Sequence, residues 1–187
     1  MIVSHQAPPS VRIIQVVSHR SEWAADFVAE SSRIRDVFGV RAVTIEHIGS
    51  TSVAGLASKP VIDILVVLDS TADICGFSPG MEQLGYAVRG ECFDAEIPGS
   101  VGRFYFSKET AGQRTHQVHA CASGHPEIRD LLALRDYLRA HPSAVAVYAR
   151  VKQNCVATSG GGSVSYMRAK ARTVRELLVS ARRWAKV

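Results

Sequence analysis

The chain has no Cys-x-x-Cys pair: its four cysteines, Cys75, Cys92, Cys121 and Cys155, are scattered through 187 residues. That spacing argues against a structural zinc site and offers no disulfide framework, so they read as ordinary buried or partly buried thiols. A run of about 18 apolar residues is also missing, which argues against a helical membrane span. The opening MIVSHQAPPSVRIIQ lacks a basic start followed by an apolar stretch and a cleavage site, so a soluble cytoplasmic protein is expected. Acids are scarce in one region only. Residues 1–124 hold 10 Lys+Arg against 13 Asp+Glu, whereas residues 125–187 hold 12 against 4. A basic last third attracts anions, be they nucleotide phosphates or RNA, or else forms a solvated helix face. Few aromatic side chains are interleaved with those charges, so nucleic-acid binding is not expected.

What is present suits one domain with a real core. Residues 1–12, with Pro8 and Pro9, read as a flexible arm, and residues 13–187 as a single domain. Ser21 is a plausible N-cap for an amphipathic helix to Phe38 that buries Trp23, Phe27 and Ile34 and stops at Gly39. Two runs rich in Val and Ile, Ala42 to Ile48 and Val61 to Leu68, read as strands around a small-residue loop. A broken helical region is expected over about 71–84, then strands at 102–107 and 116–121. Residues 90–100 between them read as a polar loop. After Gly124 the pattern is helical. Ile128, Leu131, Leu132 and Leu138 make one stripe, His141-Pro142 opens the next helix, and TSGGGS at 158–163 breaks the chain. Met167, Ala171, Val174, Leu178 and Ala181 make the last stripe. The order implies an α+β fold, a sheet core over about 40–122 with helices packed on it and a C-terminal helical lobe over about 125–186.

The chemistry concentrates in EHIGSTSVAGLASKPVIDILVVL, Glu46 to Leu68. A turn of Gly49, Ser50, Thr51 and Ser52 offers unpaired backbone amides and hydroxyls, the equipment of an anion site. Lys59 adds a mobile positive charge, and Pro60 suits a strand's first position. Asp63 stands within Val-Ile-Asp-Ile-Leu-Val-Val, where an ionised carboxylate costs several kcal/mol unless cations or donors compensate. Either it faces a metal ion or a lysine, or it bonds backbone groups at the strand end. A phosphate-cradling turn beside an acidic strand suits a nucleoside triphosphate such as ATP with Mg²⁺.

These residues resemble the GrpB family, whose hallmark is similar to EHIGSTSVxGLxxKPxIDI. The likeness continues through LGY at 84–86, GRFYF at 102–106, HQVH at 116–119, LRDYLRAHP at 134–142 and YARVK at 148–152. The resemblance implies a nucleotidyltransferase-like mixed sheet of the DNA polymerase beta type, with the Gly-Ser turn between its first two strands. It also implies a cytoplasmic protein, in some bacteria fused to dephospho-CoA kinase. The activity implied is transfer of a nucleoside monophosphate from an NTP to an acceptor. The alternative is a non-catalytic nucleotide or phosphometabolite-binding protein linked to coenzyme A metabolism.

Two departures stand out. Leu65 occupies the place where the wider superfamily has a second acid, and Ala54 the place of a common proline. Two metal ions about 3.5–4 Å apart need more than one carboxylate, so Asp63 would need help from Glu46, His47, His119, Glu91, Asp94 or Glu96. On a strand His116 and His119 point to opposite faces, while Gln117 and His119 share one. Arg103 is a candidate for bidentate phosphate contact, and Arg135-Asp136 reads as a helix-surface ion pair. Tyr148/Lys152 and Tyr166/Lys170 each sit one helical turn apart, so Lys152 and Lys170 supply charge to a triphosphate if both helices line the cleft. With Asp63 as metal ligand and catalytic residue, the expected phosphate contacts are Gly49, Ser50, Thr51, Ser52, Lys59, Arg103, His119, Lys152 and Lys170.

Overall fold

The computed structural model describes residues 14–91, 101–158 and 163–187. The predicted N-terminal arm, Asp94 and Glu96, and the glycines of TSGGGS fall outside them. Helix α1, Glu22–Phe38, leads into strand β1, Ala42–Ile48; the Gly-Ser turn follows, then β2, Ile62–Leu68. A short α2, Ser78–Gln83, precedes β3, Tyr86–Glu91, and the hairpin β4, Arg103–Thr110, and β5, Gln113–Ala122. Three helices close the chain: α3, Pro126–Ala140, α4, Pro142–Thr158, and α5, Ser163–Ala185. The strands form one mixed sheet in the order β1-β2-β5-β4-β3, in which the β2–β5 pair is parallel and the others antiparallel.

Several local expectations need correction. Ser21 does not cap α1; its backbone is already helical and its hydroxyl meets Glu22. The predicted helix over 71–84 shrinks to a 3₁₀ turn and the six residues of α2, because Gly76, Pro79 and Gly80 leave too little uninterrupted helix. Strand β3 was not foreseen, since its Arg89, Gly90 and Glu91 break the apolar alternation. The last two strands run longer than predicted and meet at Ala111-Gly112, both at positive φ, which is the backbone of a tight hairpin turn. In α5 the inward stripe is rotated: Tyr166 and Ala181 are buried and Met167 faces out.

Alternation along β2 decides what each face meets. Ile62, Ile64, Val66 and Leu68 join Val118, Ala120 and Phe106 beneath α1 and α2, against Trp23, Ile34, Phe38 and Met81. On the other face Leu65 and Val67 pack with Ile48, Cys121 and the Ile128, Leu131 and Leu132 stripe of α3. Being covered on both sides, β2 is apolar nearly throughout. Its single acid lies at the end that α3 leaves open.

Polar pairs set how the helices dock. Arg135 is not a simple surface partner of Asp136: its Nη1 also donates to Glu46 at 2.7 Å and to the His47 carbonyl at 3.3 Å, tying α3 to β1. Across the sheet, buried Glu30 of α1 accepts from Lys108 Nζ of β4 at 2.7 Å. Burial works to raise the Glu30 carboxyl, but the hydrogen bond and charge of Lys108 outweigh it and hold it below its usual range. Lys108→Met strands that carboxylate with Arg33 as a weaker partner, so unfolding in urea should show a loss of about 2 kcal/mol. A change under half that size would mean water already solvates Glu30.

Candidate active site

The Gly-Ser turn is held from within. Ser52 Oγ donates to the Gly49 carbonyl at 2.6 Å, and the Ser52 amide bonds the same oxygen at 3.3 Å. Thr51 Oγ1 donates to the Val61 carbonyl at 3.2 Å while meeting His47 Nε2 at 3.0 Å. The hydroxyl proton is thereby used, so Nε2 of His47 carries the ring hydrogen. Burial, then Arg139 and Arg135, push His47 down to about 4, so the ring is neutral, stacked on Phe27 of α1. Gly49 holds φ 68° and ψ −169°. A Cβ there would lie 2.9 Å from both Cβ and Cγ of Asp63 and closer still to its Oδ2. Only glycine lets the turn close this tightly over the carboxylate.

Three lysines from three segments bring their charge near Asp63, none of them within ion-pair distance of it. Lys59 comes from the loop before β2, Lys152 from α4 and Lys170 from α5. Two tyrosines separate them: Lys59 and Lys170 lie 4.9 and 5.5 Å from the centre of the Tyr166 ring, and Lys152 lies 4.4 Å from that of Tyr148. Lys152 is 1% exposed, and its Nζ donates to the Ala57 carbonyl at 2.8 Å. Ser50, the one turn residue whose hydroxyl is not consumed by the turn, lies beside the Tyr148 hydroxyl.

Burial and mutual repulsion set the charge states. Desolvation lowers Lys152 to about 7 and Lys59 to about 8, with Lys170 adding repulsion in both cases. Lys170 is lowered by the same burial. Asp63 is raised to about 6 by desolvation, although all three lysines pull it down. A group of three ammonium ions and one carboxylate is therefore strained by its own net positive charge. Perturbed groups gathered in this way mark a candidate functional site.

On the sheet side, Gln117 is in register beside Asp63. With its carboxamide turned to suit its neighbours, it donates to Asp63 Oδ1 at 2.8 Å and accepts from the Tyr105 hydroxyl at 2.9 Å and from Arg114 at 3.3 Å. The expected Mg²⁺ does not fit these groups. Among the described residues no three His, Cys, Asp or Glu side chains gather as a ligand set. Asp63 instead pairs with Gln117 and feels the charge of three lysines, and Leu65, in the second-acid position, is fully buried against Ile48 and Val67.

The sequence profile described as "GrpB protein" matches residues 13–180 of this chain. The chain belongs to the GrpB family. It is 35% identical over 175 residues to the UPF0157 protein YqkA of Bacillus subtilis, covering 94% of itself but only 49% of YqkA's length. The crystal structure of the conserved protein GrpB from Enterococcus faecalis superposes with a TM-score of 0.83 at 28% identity, covering 92% of this chain and all of that one. A GLD-2/RNP-8 complex gives a TM-score of 0.50 at 15% identity over 87% of this chain and 58% of that one, a likeness of fold alone. No helix among the described residues is long and apolar enough to cross a membrane.

In this GrpB protein the residues expected at the site divide cleanly. Gly49, Ser50, Lys59, Asp63, Lys152 and Lys170 come together. Thr51 and Ser52 spend their hydroxyls inside the turn, so any phosphate contact from them would use backbone amides. Arg103 lies elsewhere, paired with Glu127 of α3 at 2.7 Å and opposite Cys121, four residues or about 13 Å along β5 from Gln117. His119 shares the Asp63 face but stacks on Tyr105, and burial with the Arg103 charge lowers it to about 3, a neutral ring beside Leu65. Of the other suggested metal ligands, Glu46 is held by Arg135, and Glu91 accepts the Gly102 amide at 2.5 Å. Sequence reasoning missed Gln117 and Arg114 as neighbours of Asp63. Their only signal is strand register, which the sequence does not spell out.

Proposed function

We propose that this protein binds the polyphosphate of a small nucleotide between the Gly49-Ser50 turn and the lysines of α4 and α5. The reading is carried by one observation: Lys59, Lys152 and Lys170 gather about the Tyr148 and Tyr166 rings with their charges felt at Asp63. A polyphosphate brings the negative charge this group lacks, and the amides opening the turn add donors. Lysines here take the neutralising role that carboxylate-held metal ions play in two-metal phosphoryl transfer.

The site also supports a second reading, transfer of a nucleoside monophosphate from the bound NTP to an acceptor hydroxyl. The observation favouring it is that Asp63, with Oδ1 fixed by Gln117, remains partly exposed beside the cleft, where a base must sit.

Calorimetry with ATP in EDTA tests the first reading. Binding is expected without divalent metal, and to weaken by about tenfold between pH 6.5 and 9. The sign follows from the lysines: they hold anions only when protonated, and Lys152 and Lys59 lose their protons near 7 and 8. Affinity that ignores pH, or that appears only with Mg²⁺, overturns it. Release of pyrophosphate from labelled ATP in cell extract, lost in Asp63→Asn, would establish the transfer.

A further inference from the structure

The polar floor continues past Asp63. Register places Gln117 of β5 beside Asp63 and Ser107 of β4 beside Gln117, all on the face that α3 covers only at its Leu65–Cys121 end. Two arginines line this row: Arg114 beside Gln117, with its charge felt at Lys59, and Arg89 farther from the lysines, on β3. Arg114 Nη1 donates to the Tyr105 hydroxyl at 2.8 Å, and Arg89 Nε donates to Ser107 Oγ at 2.9 Å. Ser107 is 1% exposed, so a buried hydroxyl aims an otherwise exposed guanidinium along the sheet face. Arg114 has Glu109 against one nitrogen at 3.2 Å, while its Nε is buried with no partner. Among the described residues no carboxylate pairs with Arg89.

A lone surface arginine is ordinarily solvated. Arg89 at one end of a Gln-Tyr-Ser floor, three lysines toward the other and Arg114 between them make a row that is cationic along its length. From Asp63 on β2 to Ser107 on β4, where Arg89 is anchored, is two strand spacings, about 10 Å. That is too far for one phosphate to touch both ends. Guanidinium groups match phosphate oxygens in paired hydrogen bonds, which ammonium groups do not.

Resting on the phosphate-binding reading above, we propose that the ligand carries a second phosphate, remote from its polyphosphate and seated on Arg114 and Arg89. The cleft then selects bis-phosphorylated nucleotides over those with a single phosphate chain.

The probes are ADP and ADP bearing a 3′-phosphate, titrated calorimetrically in EDTA. The 3′-phosphorylated form is expected to bind wild type about tenfold more tightly or better. Arg89→Leu, at an exposed position that folding tolerates, should erase most of that gain while leaving ADP affinity within about twofold. Arg114→Gln should also erase the gain, with some loss for ADP because it lies nearer Asp63. Equal affinity for the two probes, or a gain that survives both substitutions, overturns the proposal and leaves the phosphate-binding reading standing. Failure of both probes to bind wild type overturns both.

Discussion

Lys152→Met is expected to abolish nucleotide binding and yet to leave the protein more stable below pH 7. Lys152 is fully buried, donates to the Ala57 carbonyl, and is pressed by Lys170. Holding its charge in that place displaces the pKa from 10.5 to about 7, a penalty on the order of 3–5 kcal/mol when the group is protonated. A folded pKa below the unfolded one means the penalty is complete below about pH 7. It fades as pH rises toward 10.5, where the unfolded chain also loses the proton. Methionine keeps most of the volume and removes the charge, but leaves the Ala57 carbonyl without its donor, which costs about 1–2 kcal/mol. The net expectation is a gain of about 1–3 kcal/mol at pH 6, vanishing or reversing by pH 9, read from urea unfolding at the two pH values. Affinity for ATP should drop by about a hundredfold, since a charge-assisted contact to phosphate is lost together with a third of the lysine cluster. Such an exchange of stability for binding is what a functional cluster predicts. A variant that binds ATP normally, or that is less stable at pH 6 than at pH 9 relative to wild type, would show that Lys152 is a structural tether only.

Gly49→Ala should cost about 3–4 kcal/mol and empty the site. Two causes act together. The φ 68°, ψ −169° backbone is one that residues with a Cβ scarcely adopt, worth about 1–3 kcal/mol. The added methyl also overlaps the Asp63 carboxylate. A double-mutant cycle separates them. In an Asp63→Gly background the overlap disappears and only backbone strain remains, so the coupling energy should be about 1–2 kcal/mol. Additive effects would mean that the turn swings away from β2 at little cost. The Ser52 hydroxyl bond to Gly49 and the Thr51 bond to Val61 both resist that motion.

How far the site was legible varied residue by residue. The Gly-Ser turn and Asp63 belong to one continuous stretch, and two strands joined by a short loop pair as neighbours, so their proximity could be read directly. Lys152 and Lys170 were legible as members of Tyr-x-x-x-Lys faces, but not their direction. That depended on α4 and α5 packing Tyr148 and Tyr166 inward. Thr51 and Ser52 misled because a hydroxyl in a turn serves the turn as readily as a ligand, and here nearby carbonyls took both. Arg103 and His119 misled for another reason. A strand shows which face a residue shares with its neighbours but not how far along that face the covering helix reaches, and α3 covers their end.

The sequence by itself determined most element types other than β3, the sheet's apolar core and the local constellation of turn, lysine and carboxylate, because spacings of two and of three to four residues act within a few turns of chain. Only the tertiary structure decided that three lysines gather near one carboxylate, that Gln117 grips it from β5, and that Leu65 belongs to the core. Those contacts join segments up to about a hundred residues apart, and their distances come from strand register and helix docking, which are set by the packing of the whole core.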